Sequence, residues 1–383
     1  MISENGKIDF LYMSEQDMID AGVKDMKGCM EAMEEMFCLL YRGDYRMGGE
    51  DANEHGIRVS FPKQSDIEGM PLAEPDYRFM AMPAYLGGKF HMFGIKSYGS
   101  HHRNKEVGLP RSILMMSLLD TVTGAPIAYM SANILSAMRT GAVSGLGPKY
   151  LSKKDPKVLG IIGPGVMSTY SLDAFMEAQP GIEVLKVKGR SQSGIDHFIR
   201  NAKAKYPSIR EFIICESIED CVRDSDIVYY GTTNAAKFED NPCVKAEWVK
   251  KGALVISASS LLVDTDFMAD KPNVRLVADN YKMYEGWGTG YELPTQKNVS
   301  TLLGMGFYDA VMEGKIKRED IADLGGIISG DQVGRENEDQ ILIYAVGGMP
   351  IEDVAWAYEC YHNAVAKNIG TKLNLWETPD LMK

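Results

Sequence analysis

The chain has 383 residues, of which 45% are hydrophobic and 25% charged, and it carries a net charge of -12. That is globular composition with room for two domains, and the acidic balance, with no gathered run of Lys and Arg, argues against a nucleic-acid partner. No apolar run reaches the roughly 18 residues needed to span a bilayer, so a membrane partner is not expected either.

The N-terminal stretch MISENGKIDFLYMSEQD has no positive segment followed by an apolar one, and the protein is read as cytoplasmic. Six cysteines, Cys29, Cys38, Cys215, Cys221, Cys243 and Cys360, form no C-x-x-C and lie near no pair of histidines. Reduced core residues are expected from them, and no metal site.

Ser14 with Asp17 three residues on resembles a capping box, and Met26, Cys29, Met30, Met33, Phe37 and Leu40 then recur at helical spacing. The apolar stripe of this helix suits a core or a dimer contact. Residues 48–75 are polar and glycine-bearing apart from the short alternation Ile57-Arg58-Val59-Ser60-Phe61. Strands are predicted at Arg78–Tyr85, Phe90–Tyr98, Ser112–Leu119 and Pro126–Met130, with turns at Gly87-Gly88 and Thr123-Gly124. This part of the chain reads as α+β.

Ala132–Leu151 is helical in pattern and leads into Val158-Leu159-Gly160-Ile161-Ile162, which stops at Gly163-Pro164-Gly165 before another helical stretch. Strand, tight turn and helix in that order place freed amides and a helix N-terminus where a pyrophosphate can bind. Gly163 lets the turn close and Gly165 lets a phosphate approach, although Ser168 replaces the third glycine of G-x-G-x-x-G. Further strands at Val184–Lys188, Phe212–Cys215, Ile227–Tyr230, Leu254–Ala258 and Val274–Val277 alternate with helices or loops, the signature of a doubly wound parallel sheet. Beyond Gly306 the pattern turns helical, notably over 350–369. The expected fold is α/β: a Rossmann-type dinucleotide-binding domain over 133–306, and a discontinuous α+β substrate-binding and dimerisation domain from 1–132 and 307–383.

The second strand of such a sheet usually ends in an acid that holds the ribose 2′-hydroxyl. Here it ends Lys188-Gly189-Arg190-Ser191, with a guanidinium suited to a 2′-phosphate, so NADP(H) is favoured with NAD(H) as the alternative. Thr232-Thr233 follow the fourth strand, at the edge that opens to the ligand. Arg58, Lys96, Arg111 and Arg139 are cations on the other part of an acidic chain, and suit a substrate with a carboxylate.

The motifs MPAY (82–85), GIKS (94–97), GLP (108–110), LLDTVTGAPIA (118–128), SAMRTGAVSGLGPKYL (136–151), GIIGPG (160–165), DLGGIISGDQVGREN (323–337) and GMPIEDVAWA (348–357) occur in order. Together they resemble the ornithine cyclodeaminase/μ-crystallin family over nearly the whole chain. The resemblance implies a homodimer using NAD(H) or NADP(H), with carboxylate-binding residues at Arg58, Lys96 and Arg139, the lysine lying beside the nicotinamide. It puts dinucleotide contacts at Gly163, Gly165, Val166, Met167, Arg190 and Thr232, with Ala258, Ser259 and Ser260 near the nicotinamide; Ser191 and Thr233 adjoin them. The implied chemistry is hydride transfer at an amino acid's α-carbon through an imine.

The departures choose among members. Leu262 stands where cyclodeaminases have a catalytic Asp, and cannot take a proton; Asp264 or Asp266 could replace it only with a remodelled loop. The acid expected before the MP dipeptide is absent, and Tyr344-Ala345-Val346 replace the tail's usual Phe-Asp-Ser. An amino-acid dehydrogenase or imine reductase is therefore expected, with a cyclodeaminase-like lyase, an opine-type condensation of keto acid and amine, or a non-catalytic ligand-binding protein as alternatives. Arg111 is expected near the substrate, residues 48–75 as a lid or pocket wall or else a longer surface loop, and His101-His102 as acid/base groups or as surface residues.

Overall fold

A computed structural model of the chain describes residues 6–74 and 76–382. The first five residues of the N-terminal stretch, Pro75 at the end of the 48–75 segment, and Lys383 lie outside them. The chain divides into two compact units: one takes the residues up to Asp25, Arg42–Arg139 and those from Met349 on, the other Met26–Tyr41 and Thr140–Gly348.

The first unit holds an eight-stranded sheet. Its strands are β1 (Ile8–Met13), β2 (Tyr45–Met47), β3 (Ile57–Val59), β4 (Arg78–Leu86), β5 (Met92–Ser100), β6 (Ser112–Leu119), β7 (Pro126–Ser131) and the late strand Thr371–Trp376. Thr371–Trp376 is followed in space by β1, β7, β6, β5, β4 and β2, with β3 also on β4. Only β1 with β7 is parallel. Alternation along β4 puts Met82, Ala84 and Leu86 on a buried face and Phe79 and Ala81 on an exposed one. The helix Pro350–Lys367 packs across β4, β5 and β6. Gly94 permits its approach, because a Cβ there would lie 2.5 Å from Met116 Cε and 2.9 Å from Val354 Cγ2.

The second unit carries β8 (Val158–Ile162), β9 (Val184–Lys188), β10 (Glu211–Ile214), β11 (Ile227–Tyr230), β13 (Leu254–Ser257), β15 (Val274–Ala278), β16 (Ile321–Asp323) and β17 (Ile341–Ala345), while β12 (Cys243–Val244) pairs separately with β14 (Leu262–Val263). The large sheet is parallel, in the order β10-β9-β8-β11-β13-β17-β15-β16. Its central strands β11, β13 and β17 are buried at every residue, as a sheet covered on both faces requires. This is the expected doubly wound architecture.

The domain limits differ from the expectation. Ile341–Ala345, an apolar run read with a helical tail, inserts between β13 and β15, so the parallel sheet needs the chain well past residue 306. The crossings fall at Arg139/Thr140 and Gly348/Met349. The helix Met26–Arg42 also serves the second unit over most of its length: a Cβ on Gly325 would lie 2.4 Å from Phe37 O, and its methionine stripe is buried there. Among the described residues no helix is long and apolar enough to cross a membrane.

Candidate active site

At the carboxyl end of β8 the backbone turns through Gly163 at φ 86°, a left-handed value that favours glycine. A Cβ there would lie 2.9 Å from both Gly231 O and Thr232 Cγ2. Gly165 precedes the helix Val166–Ala178, and a Cβ on it would meet nothing within 4 Å. Open space thus adjoins a helix start whose first-turn amides lack intrahelical acceptors, and Val166 is exposed beside it. Ser168, in the place of the third glycine, is buried and donates to Gly163 O at 2.6 Å, so it fastens the turn that the missing glycine would have left bare.

Neighbouring strand ends complete this edge. Thr232 N donates to Ser259 Oγ at 3.1 Å, and Ser259 Oγ donates to Tyr230 O at 3.1 Å. Arg190 donates to Thr233 Oγ1 at 2.9 Å, while the Lys188 ammonium bonds Glu216 O. Ser191 caps the helix Gln192–Lys205, accepting from Gly194 N at 3.3 Å. Gly163, Gly165, Val166, Met167, Arg190, Thr232, Thr233, Ala258 and Ser259 therefore follow the carboxyl ends of β8, β9, β11 and β13. Strand order reverses at β8, which is where doubly wound sheets bind dinucleotides, and the open cradle at Gly165 fits a pyrophosphate.

The first unit contains a buried ionic cluster. β5 directs Lys96 to the helix-covered face, level with Met82 and Met116. Its Nζ lies 2.6 Å from Asp353 Oδ2 and 3.3 Å from Ser136 Oγ. Arg139, one helical turn beyond Ser136, approaches Asp353 Oδ1 with Nε at 3.0 Å and Glu352 Oε2 with NH1 at 2.5 Å. Glu352 Oε1 accepts from Met349 N at 3.0 Å, fixing that acid at the helix start. Side-chain exposure is 3% for Lys96, 6% for Arg139 and 0% for both acids. Two cations and two anions cancel, the condition under which charges can be buried.

Burial, aided by the Arg139 guanidinium, pushes Lys96 down to about 8 against the opposing pull of Asp353. Burial would lower Arg139 too, but Asp353 and Glu352 outweigh it and hold the guanidinium above its ordinary value. For Asp353 burial acts upward, and Arg139 and Lys96 overcome it to keep the carboxyl below its usual range. Arg139 gives two of its five N–H donors to these acids, and Lys96 gives two of three to Asp353 and Ser136. The remaining donors can bind an anion, and a lysine titrating near 8 can give or take a proton near neutrality.

The predicted cations are thus only partly brought together. Lys96 and Arg139 meet at Asp353, but Arg58 is exposed on β3, opposite Met80, and stands apart from that buried cluster. Arg111 lies with Arg78 on Asp76: the two NH1 atoms are 3.3 and 3.0 Å from its Oδ2 and Oδ1. His101 and His102 are half-buried beside Glu74, at 3.5 and 3.9 Å, and Arg103 reaches the same carboxylate oxygen at 3.1 Å. These three are the metal-ligand types that lie within 4.8 Å of one another among the described residues, and a guanidinium already balances their carboxylate. Leu262 is half-buried in β14, and Asp264 caps the helix Thr265–Met268 by accepting from Asp266 N at 2.8 Å. Asp264 and Asp266 are both exposed. Glu352 and Asp353 were not predicted; their signal was a pair of adjacent acids in a helix start that is otherwise apolar.

Comparison with known proteins bears on this arrangement. The family model described as ornithine cyclodeaminase/mu-crystallin family matches residues 22–368. The N-((2S)-2-amino-2-carboxyethyl)-L-glutamate dehydrogenase of Staphylococcus aureus is 30% identical over 373 residues, covering 96% of this chain and 99% of that protein. Among solved structures, the Thermococcus litoralis Delta(1)-pyrroline-2-carboxylate reductase in complex with NADH and L-proline is similar with a TM-score of 0.74 at 27% identity, over 95% of this chain and 100% of that one. An archaeal alanine dehydrogenase dimer with bound NAD gives a TM-score of 0.75 at 26% identity, over 96% and 100% of the two chains.

Proposed function

The chain belongs to the ornithine cyclodeaminase/mu-crystallin family, and from that premise we propose that it is an NAD(P)-dependent oxidoreductase acting on the C–N bond of an amino acid or its imine. The observation that carries the reading is the buried quartet of Lys96, Arg139, Glu352 and Asp353, in which both cations keep donors for a substrate. When bound, a nicotinamide dinucleotide supplies or accepts the hydride. Gly163, Gly165, Val166, Met167, Arg190, Thr232, Thr233, Ala258 and Ser259 would hold it, with Ser191 supporting them as a helix cap.

Arg139 binds the amino acid's carboxylate, with Arg58 as a second cation on the same face of the sheet. Lys96 passes a proton to or from the substrate nitrogen. Asp353 holds both cations in position, and Glu352 orients the Arg139 guanidinium. Because Arg190 follows the end of β9 and no acid stands there, NADP(H) is the favoured form; NAD(H), seen with the two structural relatives, is the alternative. The same reading makes the protein a homodimer in the cytoplasm, where its six free cysteines stay reduced.

Cyclodeamination is disfavoured, since Leu262 has no proton to exchange and Asp264 is engaged as a cap. Opine-type condensation is the nearer variant, because the S. aureus relative is named for an N-substituted glutamate. The test is Lys96→Met. Turnover of every keto-acid/amine mixture and amino acid used by the native enzyme should be lost, while fluorescence titration with NADPH and NADH returns native dissociation constants. Retained turnover refutes the role of Lys96.

A further inference from the structure

The register of the first unit's sheet sets cations in successive rows on the helix-covered face. Met82, Lys96 and Met116 form one row across β4, β5 and β6. The next row is Arg58, Met80, Tyr98 and Leu114, and the one after it Arg78, Ser100 and Ser112. Alternate residues of a strand share a face, so Lys96, Arg58 and Arg78 all point to the same side. Cover varies along this direction: Lys96 and Ser100 are buried, Met80, Tyr98, Leu114, Arg78 and Ser112 are half-buried, and Arg58 is exposed.

Arg78 leans back along the rows, its guanidinium carbon 5.8 Å from the centre of the Tyr98 ring. Arg111, the residue before Ser112, meets it at Asp76, so one carboxylate lies between two guanidinium groups. That carboxylate comes from an exposed residue whose backbone is left-handed at φ 57°, a conformation that aspartate adopts more readily than most residues other than glycine. The pair is partly exposed, with the Arg78 side chain half-buried and those of Asp76 and Arg111 open to solvent, and such ion pairs contribute little, so the carboxylate of a bound substrate can compete with that of Asp76.

We propose that Arg78 and Arg111 form a second anion subsite that binds the distal carboxylate of a dicarboxylic substrate, with Asp76 filling it until that substrate arrives. The proposal rests on the function above and names its substrate class, a keto or amino acid carrying a carboxylate at each end. The rows of Lys96 and Arg78 are four residues apart on β5, roughly 13 Å of strand, and Arg78 leans into that gap over Tyr98. Arg111, expected from its place after GLP to lie near the substrate, gains a role distinct from that of Arg139.

The full chain is assayed with NADPH and ammonia on 2-oxoglutarate and on pyruvate, and titrated calorimetrically with glutarate and with butyrate. Native enzyme should prefer 2-oxoglutarate at least about tenfold in kcat/KM. Arg78→Gln and Arg111→Gln should each lower that value about 10- to 100-fold, as expected for loss of a charged hydrogen bond, and leave pyruvate within about threefold. Asp76→Asn should lower KM for 2-oxoglutarate alone, a gain that a folding defect cannot mimic. Equal losses on both keto acids, or no preference in the native enzyme, overturn the subsite. Should no keto or amino acid be turned over while glutarate still binds more tightly than butyrate through Arg78 and Arg111, the catalytic reading fails and the subsite stands. Turnover of monocarboxylates with glutarate bound no better than butyrate has the reverse meaning.

Discussion

Lys96 is held as an ammonium by a balance between burial and its charged neighbours. Burial and Arg139 push its proton off, while Asp353, 2.6 Å away, retains it. Changing Asp353 to Asn removes the retaining charge, so the lysine should titrate below 8. In imine reduction the ammonium is the active form, and the alkaline fall of kcat/KM should move to lower pH; in amino-acid oxidation the free amine is active, and the rise should likewise begin at lower pH. A pH profile unchanged in Asp353→Asn would sink the coupling. The substitution also leaves buried positive charge uncompensated and should destabilise the protein by about 3–5 kcal/mol, read from denaturant midpoints. Lys96 and Arg139 were legible in the sequence because ordered motifs flank them. Glu352 and Asp353 were not, because the apolar stripe of their helix drew the reading to Ile351, Val354 and Ala355, and nothing local reveals that the whole helix start is buried.

At the scale of elements, glycine sets how closely helix and sheet approach. Gly94 lies under Val354, one residue from Asp353 and two from Lys96, so the spacing that packs the helix also places the ion pair. Gly94→Ala should cost about 1–3 kcal/mol by overpacking and lower kcat more than it weakens dinucleotide binding, measured by thermal melts and steady-state rates. A fully stable, fully active variant would contradict that placement. Most strands of both sheets, the glycine turn and the helix Asn133–Leu151 were readable from periodicity and turn residues. β17 escaped because its apolar run of five residues lies in a tail whose pattern is helical on either side, and its partners β13 and β15 are far away in sequence.

For the molecule as a whole, the face of the first sheet opposite the helix Pro350–Lys367 is apolar and open. Phe79, Phe93, Ile113 and Tyr129, from β4, β5, β6 and β7, are each more than a third exposed on it. A sheet normally hides such a face against another layer, and a second copy of the chain is the cover that the proposed homodimer supplies. Light scattering should give about twice 42.4 kDa for the native protein and 42.4 kDa for Phe93→Glu/Ile113→Glu, with native circular dichroism. A native monomer would exclude this face as the interface.

The position of β17 also bears on synthesis. Translation delivers β13 and β15 long before the strand that separates them, so a nascent chain halted short of Ile341 carries two unpaired buried edges with nothing to join them. This parallel sheet must therefore close late, once Ala345 has left the ribosome, and fragments cut near residue 306 should aggregate rather than fold.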